Sequence, residues 1–124
     1  MNPLRFTDQF KNLCRLALQL SESAEAEAIL LLLDGTADWQ RLKKMVGDHP
    51  LLVAADTDEQ LVGAREAEFD AVKLEMPDRP VYERLTQAVL EAVADDLLLP
   101  NSAVVALYSG FDADTIDSLS IINL

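Results

Sequence analysis

The chain has few of the residues on which most kinds of functional site depend. It has one cysteine, Cys14, which excludes an internal disulfide, and one histidine, His49, with no cysteine or second histidine beside it to share a metal. Its apolar runs are far shorter than the roughly 20 residues that a membrane span needs. No signal peptide is recognisable, so we expect a cytoplasmic protein. Cys14 falls on an apolar helical face, which favours a buried thiol over a nucleophile.

Basic residues are also scarce, with 10 Lys and Arg against 22 Asp and Glu and a formal net charge of −12. A surface this negative repels phosphate backbones and anionic lipid headgroups at long range. We therefore expect no nucleic-acid partner and no membrane partner for this domain. The simplest interpretation of the charge is solubility.

Apolar residues make up 50% of the chain and are concentrated in runs without alternating polar residues. Three such runs are Ala28–Leu33, Pro50–Ala55 and Ala103–Tyr108. A short continuous run closed by a turn signal is typical of a parallel strand that is buried on both faces. A weaker strand is predicted over 69–74. A last strand is predicted over 116–124, where interspersed polar residues suit the edge of a sheet.

Apolar residues at helical spacing fill the intervals between these strands. The first predicted helix has Asn2 as N-cap and Pro3 in its first turn, and it ends at about residue 20. The second has Thr36 or Asp38 as N-cap and ends at Gly47. The third runs from a Thr57–Gln60 capping box to about residue 67, and the fourth covers 82–96. The alternation predicts a single α/β domain over 1–124, folded as a three-layer α/β/α sandwich. The last strand follows a short loop without a helix, so it should be antiparallel to its neighbour.

The order and spacing of several segments match a known domain from Phe6 to Leu124. The segments are the first helix, Ala26–Leu33 with its turn Asp34-Gly35-Thr36, Pro50–Ala55, Tyr82–Asp96, Asn101–Val105 and Ser109-Gly110-Phe111. In these the chain resembles the C-terminal, allosteric domain of pyruvate kinase. The resemblance implies a mostly parallel five-stranded sheet of order 3-2-1-4-5 with the last strand antiparallel. It also implies no catalytic residue here, because the kinase's active site lies in a barrel domain that this chain lacks.

The last segments of the chain support a second resemblance. They are Leu107-Tyr108-Ser109-Gly110-Phe111, Asp114 to Ser120 and Ile122-Asn123-Leu124. They are similar to a group of bacterial proteins in which such a domain precedes a nucleotide-binding domain of the DNA-integrity-scanning (DisA) diadenylate cyclase type. The chain ends on an apolar strand, whereas termini are usually exposed. We therefore expect a fragment of a longer chain, whose partner is the downstream nucleotide-binding domain.

The implied strand order places the first and fourth strands side by side, with their connections leaving in opposite directions. Ligands bind such sheets in the crevice past the carboxyl ends of the strands at this point. The candidate ligand-binding residues are Asp34, Gly35, Thr36, Asp38, Ser109, Gly110, Asp112, Asp114 and Thr115, with Asp56 one strand further out. Hard cations prefer clustered carboxylates, so Asp34, Asp112 and Asp114 are candidate ligands of a divalent cation. No other cofactor is expected in this domain.

Other interpretations of the crevice stay open. A cationic ligand, or a neutral one with many hydroxyl groups, is an alternative to the metal. A phosphate effector, as in pyruvate kinase, is disfavoured because loops 34–38 and 109–115 have four carboxylates and no Lys or Arg. The aspartates at 34, 38, 56 and 58 could also serve only to complement helix N-termini. Trp39 and Phe111 are interpreted as packing groups.

The leading functional hypothesis is a non-catalytic regulatory or assembly module of a larger nucleotide-binding protein, with a DisA-type diadenylate cyclase as the parent. One alternative is a stand-alone sensor of a small ligand or divalent cation at the crevice. Another is a phosphotransfer receiver built on clustered aspartates, which Lys73 suits poorly because it does not end a well-formed strand. The last strand has no proline or lysine to discourage pairing, so a homodimer through it, or cover by the downstream domain, is expected.

Overall fold

The computed structural model describes residues 3–112 and 114–124, which form alternating helices and strands. The strands are β1 (Ala28–Leu32), β2 (Leu51–Ala55), β3 (Asp70–Lys73), β4 (Ala103–Tyr108) and β5 (Ser118–Asn123). The helices are α1 (Asp8–Ser23), α2 (Trp39–Val46), α3 (Asp58–Glu66) and α4 (Val81–Ala94). The sheet has the order β3-β2-β1-β4-β5, as predicted. Neighbouring strands are parallel except β4 and β5, which are antiparallel.

The central strands are buried because helices cover both faces of the sheet. Every residue of β1 and β2 is buried, as their unbroken apolar runs require. On one face, side chains of α1, α2 and α3 pack against alternate residues such as Ile29, Leu31 and Val53. On the other face, α4 packs against the intervening residues, among them Leu30 and Leu52. The three-layer α/β/α prediction is therefore confirmed.

The helices α1, α2 and α3 begin at side-chain caps, two of which the sequence predicts, whereas α4 follows Pro80 without such a cap. Asp38 caps α2 by accepting a hydrogen bond from the Arg41 backbone N–H at 3.1 Å. Both hydrogen bonds of the predicted capping box between Thr57 and Gln60 are present at α3. The C-cap of α2 is Gly47, whose φ of 59° lies in the left-handed region.

The predicted start of the first helix was wrong. Thr7 caps α1 by accepting from the Phe10 backbone N–H at 3.1 Å, so the helix begins at Asp8 and not at Pro3. The Leu4 backbone N–H instead donates to the Thr36 carbonyl at 2.7 Å, which holds this segment beside the end of β1. Asn2, the predicted N-cap, lies outside the described residues.

The last strand lies at the edge of the sheet, but it is shorter than predicted. It begins at Ser118, because Ile116 is buried against the core on the α1 side before the strand starts.

In the part of the chain that the structure describes, no helix combines the length and apolarity needed to cross a bilayer.

Candidate functional site

The crevice at the carboxyl ends of β1 and β4 is the point where the sheet order reverses. Because the two strands are paired in parallel, the loops that follow them leave at the same end of the sheet. A cavity of about 470 Å³ lies there, within the range of about 300–1,000 Å³ that is usual for ligand pockets. It is lined by Pro3, Leu4, Arg5, Thr7, Phe10, Leu33, Asp34, Gly35, Pro77, Arg84, Ser109, Asp114, Thr115 and Ile116.

The cavity brings together five of the nine predicted crevice residues. These are Asp34, Gly35, Ser109, Asp114 and Thr115. They supply carboxylates and hydroxyl groups from both loops, as expected at a switch point. The cavity therefore includes part of the predicted set, and ligand binding by these residues stays a prediction.

The other four predicted residues do not line the cavity. Asp38 caps α2, and the Thr36 carbonyl accepts from Leu4. The Gly110 backbone N–H donates to Asp117 at 2.8 Å, and the Asp112 carboxylate accepts from the Thr115 hydroxyl at 3.3 Å. These groups therefore make hydrogen bonds that hold the backbone of the two loops.

Arg84 lines the crevice and binds two aspartates, although it was not among the predicted residues. Its Nη1 lies 3.0 Å from Asp34 Oδ1, and its Nη2 lies 2.8 Å from Asp56 Oδ2. The Arg84 and Asp56 side chains are only 9% and 8% exposed, whereas Asp34 is 50% exposed. Two of the aspartates that could serve only as helix-dipole residues thus bind one buried arginine, and only the Asp34 contact borders open space.

Further hydrogen bonds fix the geometry around this arginine. Asp56 Oδ1 accepts from the Met76 backbone N–H at 3.0 Å, and the Asp56 backbone N–H donates to Gln60 Oε1 at 3.0 Å. Gln60 Nε2 in turn donates to the Asp34 carbonyl at 3.0 Å. The ends of β1 and β2 and the helices α3 and α4 therefore share one polar network.

Loops 34–38 and 109–115 contain no Lys or Arg, but two basic residues from other parts of the chain line the crevice. Arg84 comes from α4, about fifty positions along the chain from Asp34, and Arg5 comes from the segment before α1. The sequence did contain a signal for the first of these. Arg84, Ala88 and Ala92 are spaced by four residues and are all buried, so an arginine lies on the apolar stripe of an amphipathic helix. A buried arginine in such a place needs an acidic partner.

The loop between β4 and β5 is organised around Asp117. Its carboxylate accepts from the backbone N–H groups of Gly110, Phe111 and Asp112 and from the Ser118 hydroxyl. Partial desolvation raises the pKa of Asp117, but the hydrogen bonds from Gly110, Asp112, Ser118 and Phe111 outweigh it and lower that pKa below its usual value. The backbone N–H groups of this loop therefore bind a carboxylate from the loop itself, that of Asp117.

The two aromatic residues singled out in the sequence have different surroundings. Trp39 packs against Phe69 with ring centroids 6.4 Å apart, which confirms its packing role. Phe111 is 94% exposed at the tip of the β4–β5 loop, so the prediction that it packs was wrong. Lys73, the last residue of β3, is paired with Asp58 and Glu75, two strands away from the crevice.

Among the residues that the structure describes, acidic side chains do not converge in the manner of a metal site. Within residues 3–112 and 114–124, no group of three or more His, Cys, Asp or Glu residues could hold a metal ion. Nothing in the structure tests a bound cation at Asp34, Asp112 or Asp114, so the divalent-cation site stays a prediction. The donor set of the crevice is instead mixed, with guanidinium, carboxylate and hydroxyl groups around an apolar floor.

The fold is similar to that of pyruvate kinase, which shows the fold alone at this level of sequence identity. A structure described as a pyruvate kinase from Cryptosporidium parvum superposes with a TM-score of 0.70 at 10% identity, over 91% of this chain and 22% of that one. A second Cryptosporidium parvum pyruvate kinase structure gives a TM-score of 0.68 at 10% identity, over 96% of this chain and 23% of that one. The chain therefore spans less than a quarter of these enzymes.

No curated protein sequence matches the chain. The sequence model of a family described as "Probable sensor domain DacZ_P" matches residues 9–124, which include all the helices and strands except the first residue of α1. A sensor role agrees with a non-catalytic regulatory module built on this fold. The chain therefore belongs to the DacZ_P family of probable sensor domains.

Proposed function

We propose that this domain is a non-catalytic sensor that binds a small polar ligand in the crevice and regulates or assembles the larger protein of which it is a part. The observation that supports this most directly is the contact between Arg84 and Asp34 on the wall of the cavity. The cavity has the size of a ligand pocket, and it lies where sheets of this order bind ligands. The family description agrees with this role.

The unequal burial of the two aspartates gives the site a means of response. Asp56 is buried and bound to Met76 and Arg84, so it stays in place. Asp34 is half exposed, so a ligand that binds its carboxylate weakens its hold on Arg84. Because Arg84 belongs to α4, this change reaches the opposite face of the sheet from α1, α2 and α3. The ligand must bind the two arrangements with different affinity for this to act as a signal.

An uncharged surface lies beside α4, and it is where we place the contact with other subunits. A groove of about 750 Å³ runs between α4 and β5, with Tyr82, Leu90 and Ile122 among its lining residues. None of its lining residues is charged, in a chain that is 26% charged. Tyr82 and Leu90 are 69% and 60% exposed. Apolar patches on an otherwise charged surface are typical of interaction sites.

The occupant we propose for this surface is a second copy of the chain, paired through β5. Two molecules that each have a net charge of −12 repel one another unless they meet where charge is absent. The β5 strand has no charged side chain and lies at the sheet edge, so its outer backbone groups are available for antiparallel pairing. Such a homodimer would have two-fold symmetry, the commonest form of protein assembly.

The dimer is tested by sedimentation velocity over a range of protein concentrations at moderate salt. The wild-type chain is expected to sediment increasingly as a dimer, and Leu90→Lys is expected to stay monomeric because it places a charge in the groove. Val62→Lys, which charges an equally apolar and exposed position on α3, is the matched control and should behave as wild type. A wild-type chain that stays monomeric at all concentrations would exclude this occupant.

The parent protein that we propose is a DisA-type diadenylate cyclase in the cytoplasm, with its nucleotide-binding domain downstream of this one. The similarity of the last segments, from Leu107 to Leu124, supports this assignment. The test is the reading frame beyond Leu124 and the conversion of ATP to cyclic diadenylate by the full-length protein. Cyclase activity that is unchanged by Arg84→Met and Asp34→Asn in the full-length protein, at any ligand concentration, would contradict the regulatory role.

Ligand binding itself is tested by a thermal-shift screen of this chain. The compounds are Mg²⁺, Ca²⁺, adenine nucleotides, sugar phosphates and free amino acids. We expect one class to raise the midpoint of unfolding and Ser109→Ala to reduce that shift, because Ser109 lines the cavity. Ser23→Ala is the control, since Ser23 is an exposed serine at the end of α1. If no class of compound raises the midpoint of unfolding, a sensor at this site is contradicted.

A further inference from the structure

The crevice presents charges of both signs that are separated by apolar surface. Asp34 is half exposed on one part of the wall. Arg5 also lines the cavity, and it forms no ion pair with the described residues. Phe10, Leu33 and Ile116 are buried side chains that contribute apolar surface to the same cavity. This combination matches a ligand that has a cationic group, an anionic group and an apolar part.

An unsatisfied donor on a residue that lines the cavity supports the same conclusion independently. The Arg84 side chain is more than nine-tenths buried and lines the cavity. Its Nε is a buried nitrogen without a hydrogen-bond partner within residues 3–112 and 114–124. An unsatisfied buried donor costs free energy, so its persistence calls for an explanation. A ligand carboxylate that binds beside Arg84 while the ligand weakens its contact with Asp34 would supply this arginine with a further acceptor.

We propose that the ligand of the crevice is a free amino acid with an apolar side chain. Its ammonium group binds Asp34, its carboxylate binds Arg5 and the Arg84 guanidinium, and its side chain lies against Phe10, Leu33 and Ile116. The proposal rests on the proposed sensor function and gives its ligand class. The Thr7 and Ser109 hydroxyl groups on the cavity wall can donate to the carboxylate or accept from the ammonium group. The Thr115 hydroxyl, which donates to Asp112, can accept from the ammonium group.

The charge balance explains why a zwitterion fits better than a phosphate or a simple amine. Arg84 is already bound by two carboxylates, so the three groups together have a net negative charge. A phosphate would add two further negative charges beside Asp34 and Asp56. A simple amine would satisfy Asp34 but would leave Arg5 and Arg84 Nε without an acceptor. A zwitterion adds no net charge and meets both requirements.

Calorimetric titration of the intact chain tests the ligand class with an amino acid and with two analogues that each lack one of its charged groups. The probes are L-leucine, 3-methylbutylamine, which lacks the carboxylate, and 4-methylpentanoate, which lacks the ammonium group. L-phenylalanine and inorganic phosphate complete the set. We expect at least one of the two amino acids to bind, with leucine or phenylalanine at least about tenfold tighter than either single-charge analogue. Tighter binding of an analogue or of phosphate would overturn the proposal.

Two variants assign the ends of the ligand to residues. Asp34→Asn should weaken the amino acid at least about tenfold and remove its advantage over 4-methylpentanoate. Arg5→Gln should weaken it and remove its advantage over 3-methylbutylamine. Asp48→Asn and Arg15→Gln, at exposed positions that do not line the cavity, are the matched controls and should bind as wild type. Far-ultraviolet circular dichroism checks that each variant is folded.

The outcomes separate this proposal from the sensor function on which it rests. Binding of Mg²⁺, a nucleotide or a sugar phosphate that depends on the same residues would overturn the amino-acid ligand and would support the sensor. Amino-acid binding that Asp34→Asn and Arg5→Gln leave unchanged would place the ligand elsewhere and overturn the proposal. Absence of binding by the whole set of standard amino acids at millimolar concentration would also overturn it.

Discussion

Arg84 Nη2 lies 2.8 Å from Asp56 Oδ2, and both side chains are more than nine-tenths buried. Removing one partner of such a pair leaves an uncompensated buried charge, which costs about 3–5 kcal/mol. We therefore expect Arg84→Met to lower the free energy of unfolding by about this amount, measured by urea denaturation at neutral pH. The methionine side chain keeps most of the apolar packing of α4, so the decrease in the free energy of unfolding measures the effect of removing the positive charge.

The control for this prediction is Arg79→Met, at an exposed arginine just before the same helix. An exposed substitution of this kind should change the free energy of unfolding by no more than about 0.5 kcal/mol. Asp34→Asn should fall between the two, because Asp34 is half exposed and solvent screens its contact with Arg84. Equal effects of Arg84→Met and Arg79→Met would show that the buried pair does not have the role described.

A second prediction concerns the packing of α2 against α3. Gly63 lies so close to Trp39 that a Cβ atom at this position would overlap the indole ring. Alanine is normally favoured over glycine in a helix by about 1 kcal/mol, but overpacking costs about 1–3 kcal/mol. We expect Gly63→Ala to destabilise the chain overall, seen as a lower midpoint in thermal unfolding.

A smaller side chain at Trp39 provides the control for this steric explanation. In the background of Trp39→Leu, the added methyl group has room, so Gly63→Ala should become neutral or stabilising. The two single variants and the double variant form a cycle that isolates this coupling. Additive effects in the cycle would show that contact with the indole is not what requires glycine at position 63.

A third prediction follows from the low pKa of Asp117. The folded chain favours the carboxylate because three backbone N–H groups and a hydroxyl donate to it. A pKa that is lower in the folded state gives stability that is present above the unfolded pKa and is lost as pH falls through the folded pKa. We expect the free energy of unfolding to decrease below about pH 4.

The share of this acid sensitivity that belongs to Asp117 is measured with Asp117→Asn, which cannot ionise. The variant should be less stable than wild type at neutral pH and should lose less stability on acidification. Asp70→Asn, at an exposed position on β3, is the control and should keep the wild-type pH dependence. A pH dependence that is the same in wild type and Asp117→Asn would contradict the account.

A fourth prediction concerns salt. A net charge of −12 in a small chain produces self-repulsion that favours unfolding. Raising the ionic strength from about 0.1 M to about 1 M shortens the screening length from about 10 Å to about 3 Å. We expect the midpoint of thermal unfolding to rise over this range. The double variant Asp95→Asn and Asp96→Asn, at exposed positions after α4, should show a weaker dependence. No salt dependence in wild type would contradict this.

The fold follows from local patterns that the sequence displays directly. Continuous apolar runs predicted β1, β2 and β4, because a strand that is buried on both faces is apolar at every position. The capping box at α3 and the glycine stop of α2 were read from neighbouring residues. The order of the strands came from the resemblance to pyruvate kinase and was confirmed.

The first helix and the crevice required information that no local pattern contains. Both Asn2-Pro3 and Thr7 are acceptable helix starts, and the backbone hydrogen bond from Leu4 to Thr36 favours the later one. Arg84 reaches Asp34 and Asp56 only through the tertiary fold, so a count of charges within the loops missed it. Phe111 was interpreted as a packing residue, but it is exposed on a loop whose backbone N–H groups are bound by the Asp117 carboxylate.

Ligand binding in the crevice is the central claim, and an NMR titration of the isotopically labelled chain tests it directly. L-leucine, L-phenylalanine and each other compound of the thermal-shift screen are titrated separately while the backbone amides and the Arg84 Nε–Hε group are followed. At least one compound is expected to shift the amides of Asp34, Gly35, Ser109 and Thr115 together with the Arg84 signal. Shifts confined to the groove between α4 and β5, or no shift with any compound, would contradict ligand binding in the crevice.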